Sequence, residues 1–195
     1  SENVAIASLN NNIKKCILIS TDKACQPVNV YGSSKFLAER LFTNFDYHSQ
    51  TTIFASVRYG NVIASRGSFI PLWLNQINEF NEITVTSHDC SRFLFTLDDA
   101  VDTVLMALES AEGGEVFIPK IKSFSMCSVI EAVKRISGNL DISIRTIGMR
   151  PGEKLHEDML SKTELEFTRK INNKLLAVLP QYTLKKHSHT HLYKG

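Results

Sequence analysis

The stretch Cys16-Ile17-Leu18-Ile19-Ser20-Thr21-Asp22-Lys23-Ala24 passes from an unbroken apolar run into a polar turn. A short apolar run without alternation is the pattern of a strand covered on both faces in a parallel sheet. The polar turn then lies at the strand's carboxyl end, where open α/β sheets bind their ligands. Working outward, Pro27 breaks the chain, and a helix is expected from about Tyr31, with Phe36, Leu37, Leu41, Phe42 and Phe45 as its apolar stripe. Thr52 to Val57 reads as the next buried strand, and Gly60 and Gly67 bracket a loop before a helix marked by Phe69, Leu72, Trp73 and Gln76. Ile83 to Thr86, Glu115 to Ile118 and Ile142 to Ile147 are further strand candidates. Thr96-Leu97-Asp98-Asp99 has the spacing of a capping box and opens a helix carrying Val101, Val104, Leu105 and Leu108 at helical period. Another helix carries Val129, Ile130, Val133 and Ile136 and stops at Gly138. Upstream, Val4 to Leu9 reads as the end of an amphipathic helix halted by Asn10, Asn11 and Asn12, so the chain is expected to open part-way through a fold. Strands alternating with helices give an α/β class with a largely parallel sheet.

Composition narrows the function classes. A length of 195 residues suits one sizeable domain, and 43% hydrophobic with 22% charged residues excludes disorder and low-complexity sequence. The net charge of +2 supplies no field for holding a nucleic-acid backbone, so no nucleic-acid partner is expected. Cys16, Cys25, Cys90 and Cys127 are scattered without a C-x-x-C pair, which suits neither a zinc site nor a disulfide framework and fits a reducing compartment. The longest apolar runs, Cys16 to Ile19 and Leu175 to Leu179, could neither span a bilayer nor form a signal-peptide core. A cytoplasmic protein without a membrane partner is the expectation. Residues 185–195 read as a polar tail; His187, His189 and His191 alternate there without a carboxylate or cysteine partner, and no metal site is assigned.

Chemistry first suggests itself at Tyr31-x-x-x-Lys35. Residues four apart share a helix face, so the ammonium can sit beside the phenol and favour the phenolate, a usable proton acceptor. The spacing alone is unspecific, since Tyr182 and Lys186 repeat it in the tail. Context separates the copies: Thr21, Asp22, Lys23, Tyr31 and Lys35 all gather at the rim beyond one strand.

Ser20-Thr21-Asp22-Lys23-Ala24, Pro27, Asn29 and Tyr31-Gly32-Ser33-Ser34-Lys35 together resemble the active-site segment of extended short-chain dehydrogenase/reductases. Arg58-Tyr59-Gly60-Asn61-Val62, Ser65-Arg66-Gly67-Ser68 with Pro71, Cys90-Ser91-Arg92-Phe93, Gly113 to Lys120, and Gly148-Met149-Arg150-Pro151-Gly152-Glu153-Lys154-Leu155-His156-Glu157 follow in the order of the polysaccharide-biosynthesis (CapD-like) branch. The resemblance runs to about Pro180 and implies the carboxyl-terminal part of a Rossmann-like doubly wound parallel sheet plus a small sugar-nucleotide-binding subdomain. Related branches commonly have methionine at the position of Tyr31, which therefore favours the inverting UDP-N-acetylglucosamine 4,6-dehydratase (5-epimerase) type. Ser91 departs from the usual threonine but keeps the hydroxyl.

By this resemblance Tyr31 accepts the proton of the sugar's 4-hydroxyl as NADP (or NAD) takes the carbon 4 hydride. Lys23 removes the carbon 5 proton, and Asp22 protonates the hydroxyl leaving carbon 6; Thr21 and Lys35 complete the catalytic set. Tyr31, Lys35 and Val62 would touch the cofactor's nicotinamide end. Asn61, Arg92 and Arg150 would grip the substrate, and Glu153 would accept from its ribose hydroxyls. Lys23 must then be able to lose its charge while Asp22 holds a proton, which a tight ion pair would oppose. Adjacent residues in extended backbone point apart, so the two are expected to be separated. The chain contains no G-x-x-G-x-x-G or G-x-G-x-x-G turn, and the strand at Cys16 to Ile19 corresponds to the family's fifth. Residues 1–184 are accordingly expected to follow a cofactor-binding half of roughly 110 residues. The resemblance also implies a UDP-sugar partner and a homo-oligomer at full length. A UDP-sugar-binding or assembly fragment without chemistry, and a related nucleotide-sugar epimerase, remain as alternatives.

Overall fold

Seventeen elements build the computed structural model, which describes residues 1–182. In chain order they begin with α1 (Glu2–Asn10), β1 (Lys15–Ile19), a 3-10 turn (Asp22–Ala24), α2 (Val30–His48), β2 (Ile53–Val57) and β3 (Asn61–Val62). Then come α3 (Phe69–Phe80), β4 (Glu82–Val85), β5 (Ser91–Phe95), α4 (Leu97–Ser110), β6 (Val116–Pro119) and β7 (Ser123–Ser125). The chain continues with α5 (Met126–Ser137), β8 (Ser143–Thr146), α6 (Lys162–Leu165), β9 (Thr168–Lys170) and β10 (Leu175–Val178). They form two compact units: one of Ser1–Tyr59, Asp98–Lys120 and the chain from Asp158, the other of Gly60–Leu97 and Ile121–Glu157. Among the described residues no helix is long and apolar enough to cross a membrane. The histidines of the tail and Lys186 lie outside the described residues.

The first unit is a doubly wound α/β/α layer. Its sheet has the order β1-β2-β6-β10-β9, with β1, β2 and β6 parallel and the β10 pairings antiparallel. Alternation along the strands sends side chains to opposite layers. Cys16, Leu18 and Phe54 face Ala5 and Phe42 of α1 and α2, with Phe42 edge-on to Phe54 at 5.5 Å. Ile17, Ala55 and Val57 face Ala107 and Ala111 on the α4 side.

Three expectations are corrected here. β1 is half-buried rather than covered, because it is an edge strand among the described residues and pairs with β2 alone. The buried face of α2 consists of Gly32, Ala38, Glu39, Phe42 and Asp46, while Phe36 and Leu37 are exposed. On α4, Ala100, Thr103 and Ala107 are buried, and Val101, Leu105 and Leu108 stay exposed. Small side chains let a helix axis approach the sheet closely, and that proximity selected the face over bulk hydrophobicity. The antiparallel β9–β10 pair was also not read from the sequence, since an apolar run carries no strand direction.

The second unit packs α3 and α5 beside the parallel pair β4–β8 through Trp73, Ile77, Ile83, Val85, Val129 and Ile130. β3, β5 and β7 form its other sheet. Ser125 caps α5, whose end at Gly138 is left-handed (φ 71°), a conformation glycine adopts without a Cβ penalty.

Candidate active site

In the first unit the loop after β1 is tied to the end of β2. Ser20 N donates to Val57 O at 2.7 Å, and Asp22 N donates to Tyr59 O at 2.6 Å. Thr21 is extended and caps the 3-10 turn, its hydroxyl accepting weakly from Lys23 N and donating to Asp22 Oδ1 at 2.9 Å. Asn29 caps α2 by accepting from Gly32 N at 2.8 Å. A Cβ on Gly32 would fall on the Lys23 carbonyl oxygen, so the absence of a side chain is what lets α2 start directly against the turn. Tyr31 is exposed, and Lys35, on the same helix face, donates its ammonium to Ile19 O at 3.0 Å. Among the described residues Lys35 makes no hydrogen bond to Tyr31; the end of β1 holds it instead.

The separation expected for Asp22 and Lys23 is overturned. Their side chains meet at 2.9 Å, because the 3-10 turn winds the two residues to one side where an extended backbone would splay them. Asp22 is fully buried, and its Oδ2 has no hydrogen-bond partner among the described residues. One carboxylate oxygen is thus occupied, and the other is buried without a partner among the described residues. Thr21, Asp22 and Lys23 lie together just beyond the carboxyl end of β1, Lys35 reaches the last carbonyl of that strand, and Tyr31 lies one turn before Lys35 on α2.

The sequence reading missed a second feature of this unit. Arg58 is completely buried between Glu39 and Glu164. Burial alone would lower its pKa, but the hydrogen bonds and charges of both glutamates outweigh that and hold it above its ordinary value. Glu164, which burial would raise, is held below the usual carboxylate value by Arg58 and by Ser161 of its capping box. Burial pushes the Tyr59 phenol up. The available signal was the spacing Tyr31, Lys35, Glu39, one helix face repeating every turn.

The second unit holds the other candidates. Asn61 and Val62 lie in β3, paired with Leu94 and Phe95, and Asn61 Oδ1 is buried without a partner among the described residues. Arg92 is buried, donating to Ser91 O, to Leu155 O and, at 2.7 Å, to Glu153 Oε1. Thr86 Oγ1 donates to that same Glu153 oxygen, and Arg150 N makes a longer 3.4 Å contact with Glu153 Oε2. Arg92 and Glu153 are therefore one assembly rather than two independent grips. The Arg150 side chain is exposed and unpaired among the described residues, at a cavity of about 130 Å³ lined also by Trp73, Thr84, Thr86, Ile147 and Glu153. Ser91 Oγ lies 2.9 Å from His156 Nδ1.

The sequence profile of the family described as polysaccharide biosynthesis protein matches residues 1–178. The chain is 40% identical over 176 residues to the UDP-N-acetylglucosamine 4,6-dehydratase (inverting) of Campylobacter jejuni, covering 89% of this chain and 51% of that protein. It is 42% identical over 167 residues to the UDP-glucose 4-epimerase of Rickettsia akari, covering 85% of this chain and 49% of that one. Among solved structures it superimposes with a TM-score of 0.88 on Pen from Bacillus thuringiensis, at 36% identity, covering 98% of this chain and 60% of that one. The chain spans about half the length of these curated relatives.

Proposed function

The chain belongs to the polysaccharide biosynthesis protein family of extended short-chain dehydrogenase/reductases, and on that premise we propose that it carries the catalytic residues of a nucleotide-sugar 4,6-dehydratase acting on UDP-N-acetylglucosamine. One observation carries the reading: the buried Asp22 carboxyl and the Lys23 amine pair just beyond the carboxyl end of β1, and the helix that carries the exposed Tyr31 phenol starts directly against that turn. Tyr31 takes the proton of the 4-hydroxyl. The resulting ketone acidifies carbon 5, and Lys23 removes that proton. Asp22 protonates the departing 6-hydroxyl, so one water leaves. Oxidation at carbon 4 and reduction at carbon 6 cancel, and carbon 5 regains a proton as carbon 6 is reduced. The Asp22 Oδ2 is unpartnered among the described residues but shut from solvent, and Lys23 must leave Asp22 before it can act as a base.

A nicotinamide dinucleotide, NADP or alternatively NAD, supplies hydride acceptance and return in this chemistry. The residues present fit its reactive end: Lys35 is fixed by Ile19 O, leaving its remaining N–H groups to donate, and the Tyr31 phenol is unobstructed on the same face. Tyr31 and Lys35 would hold it. In the second unit, Arg150 and the Arg92–Glu153 assembly would hold the nucleotide, a planar fork of donors suiting a diphosphate. Asn61, whose amide oxygen is buried without a partner among the described residues, would accept from a sugar hydroxyl.

An epimerase is the second reading, favoured by the name of the Rickettsia relative. Epimerisation at carbon 4 needs a phenol and a lysine on α2 but has no use for the Asp22–Lys23 pair, which is why dehydration is preferred. The experiment supplies UDP-N-acetylglucosamine to a protein that carries this chain within the full length of its relatives. A product lighter by one water and bearing a carbon 6 methyl is expected. An isomer of unchanged mass would decide for the epimerase, and no conversion would leave a binding fragment.

A further inference from the structure

No step above uses Arg58, the largest side chain that is fully buried. Its guanidinium has five N–H groups. Nε and Nη2 donate to the two oxygens of Glu39 at 3.0 and 2.8 Å. Nη1 and Nη2 donate to the two oxygens of Glu164 at 2.9 and 2.7 Å, and Nη1 also reaches Met159 O at 3.0 Å. Every donor is matched. Such an assembly is weak evidence for stability, because well-packed apolar side chains often serve as well. Its attachments point elsewhere. Glu39 Oε1 also accepts from Ser20 Oγ at 2.6 Å, and Ser20 immediately precedes Thr21. Glu39 stands one and two turns beyond Lys35 and Tyr31 on α2. The residues flanking Arg58, Val57 and Tyr59, accept from the amides of Ser20 and Asp22. Glu164 is itself held by Ser161 N and Oγ, both at 2.9 Å.

We propose that Glu39, Arg58 and Glu164 are positioning residues, and that Ser20 is the link through which they hold the Thr21–Lys23 turn in register with the Tyr31–Lys35 face of α2. The clamp fixes two segments that the sequence separates, so that a proton donor, a base and a phenol stay within reach of one sugar ring. This rests on the dehydratase reading only for the identity of the reaction. Misplacement by about 1 Å is enough to slow a reaction whose groups are otherwise intact.

Ser20→Ala is the decisive variant, because it removes the link and leaves all five Arg58 bonds in place. In the 195-residue chain, hydrogen exchange at the amides of Asp22, Ala24 and Cys25 is expected to rise at least several-fold, with the β2 and β6 amides unchanged. In a protein of the relatives' full length, kcat is expected to fall about tenfold with KM within about twofold. Glu39→Gln, which keeps an oxygen toward Arg58 and Ser20, should fall between the wild type and Glu39→Ala. If Ser20→Ala and Glu39→Gln keep their kcat and the turn's exchange while losing thermal stability, the clamp is structural only and the proposal is overturned. If the wild type makes no dehydrated product, the dehydratase reading fails, whereas the exchange measurement still decides whether the clamp orders the turn.

Discussion

Each unit contains an arginine–carboxylate assembly, and the two are finished differently. Around Arg58 every guanidinium donor has a protein acceptor, and both Arg58 and Glu39 are shut away from solvent. Around Arg92 the pair with Glu153 is partly open, and a second arginine, Arg150, stands beside it at a cavity without a side-chain partner among the described residues. A closed assembly can fix the position of its neighbours but cannot bind anything more. An open one keeps donors for a ligand. Under the proposed function, the closed assembly lies in the unit that would carry the chemistry and the open one in the unit that would grip the nucleotide.

The largest expected effect breaks the chemistry without touching the grip. In a protein of full relative length, Lys23→Ala should lower turnover by about 10²–10⁴-fold and abolish deuterium uptake from solvent at carbon 5. The affinity for UDP should be unaltered. Tyr31→Phe should instead slow the oxidation at carbon 4, so that reduced cofactor accumulates after mixing with Lys23→Ala and not with Tyr31→Phe. Near-normal deuterium uptake in Lys23→Ala would transfer the base role to Asp22 or to water. The closed assembly comes next. Arg58→Met leaves Glu39 and Glu164 buried without their counter-charge, and urea melts of the chain should record a loss of about 3–5 kcal/mol. Arg150→Ala is the converse case. UDP binding measured by calorimetry should weaken about tenfold or more, while the melting curve stays in place. A melt that shifts as much as that of Arg58→Met would erase the distinction between the two assemblies.

How much of this was legible in the sequence differs by region for the same physical reasons. Periodicity located β1, α2, β2, α3, α4 and α5, and the resemblance brought Thr21 to Lys35 and Arg150 to Glu153 into view. The Asp22–Lys23 contact was misread because side-chain direction depends on the local turn. The hydroxyl of Thr21 ahead of an acidic residue was the available capping cue. Glu39 and Asp46 were passed over because charged residues are assumed to face water. Their burial is decided by partners far along the chain: Arg58 for Glu39, and for Asp46 the amide of Phe54, which donates to it at 3.1 Å. Pairings of that kind leave no period to detect.

Acidification probes the closed assembly more gently. Glu164 sits below its ordinary carboxylate value in the folded chain. A carboxylate depressed in this way contributes stability that is complete above its unfolded pKa and lost as pH falls through the folded one. Denaturation midpoints should therefore decline as pH drops below about 4.5, the ordinary value for Glu164. Glu164→Gln should begin less stable and decline less steeply over that window. Equal slopes in the two proteins would mean that other carboxylates govern the acid limb.

The smallest effect expected concerns α4, where helical period and structure select opposite faces. Leu105 recurs with Val101 and Leu108 as a core stripe would, yet it is 51% exposed, while Ala107 is completely buried against the sheet. Replacing an exposed leucine with glutamine removes little buried area, and surface substitutions of this kind usually fall within about 0.5 kcal/mol. Ala107→Leu instead forces extra methylenes into a packed contact, which typically costs about 1–3 kcal/mol. Paired melts of Leu105→Gln and Ala107→Leu in the 195-residue chain should therefore separate clearly, with the conservative-looking apolar exchange the more damaging. The reverse order would mean that α4 turns its large residues inward in solution. The core between α4 and β2 would then have to be rebuilt around Leu105 instead of around the close approach of Ala107 to Ala55 and Val57.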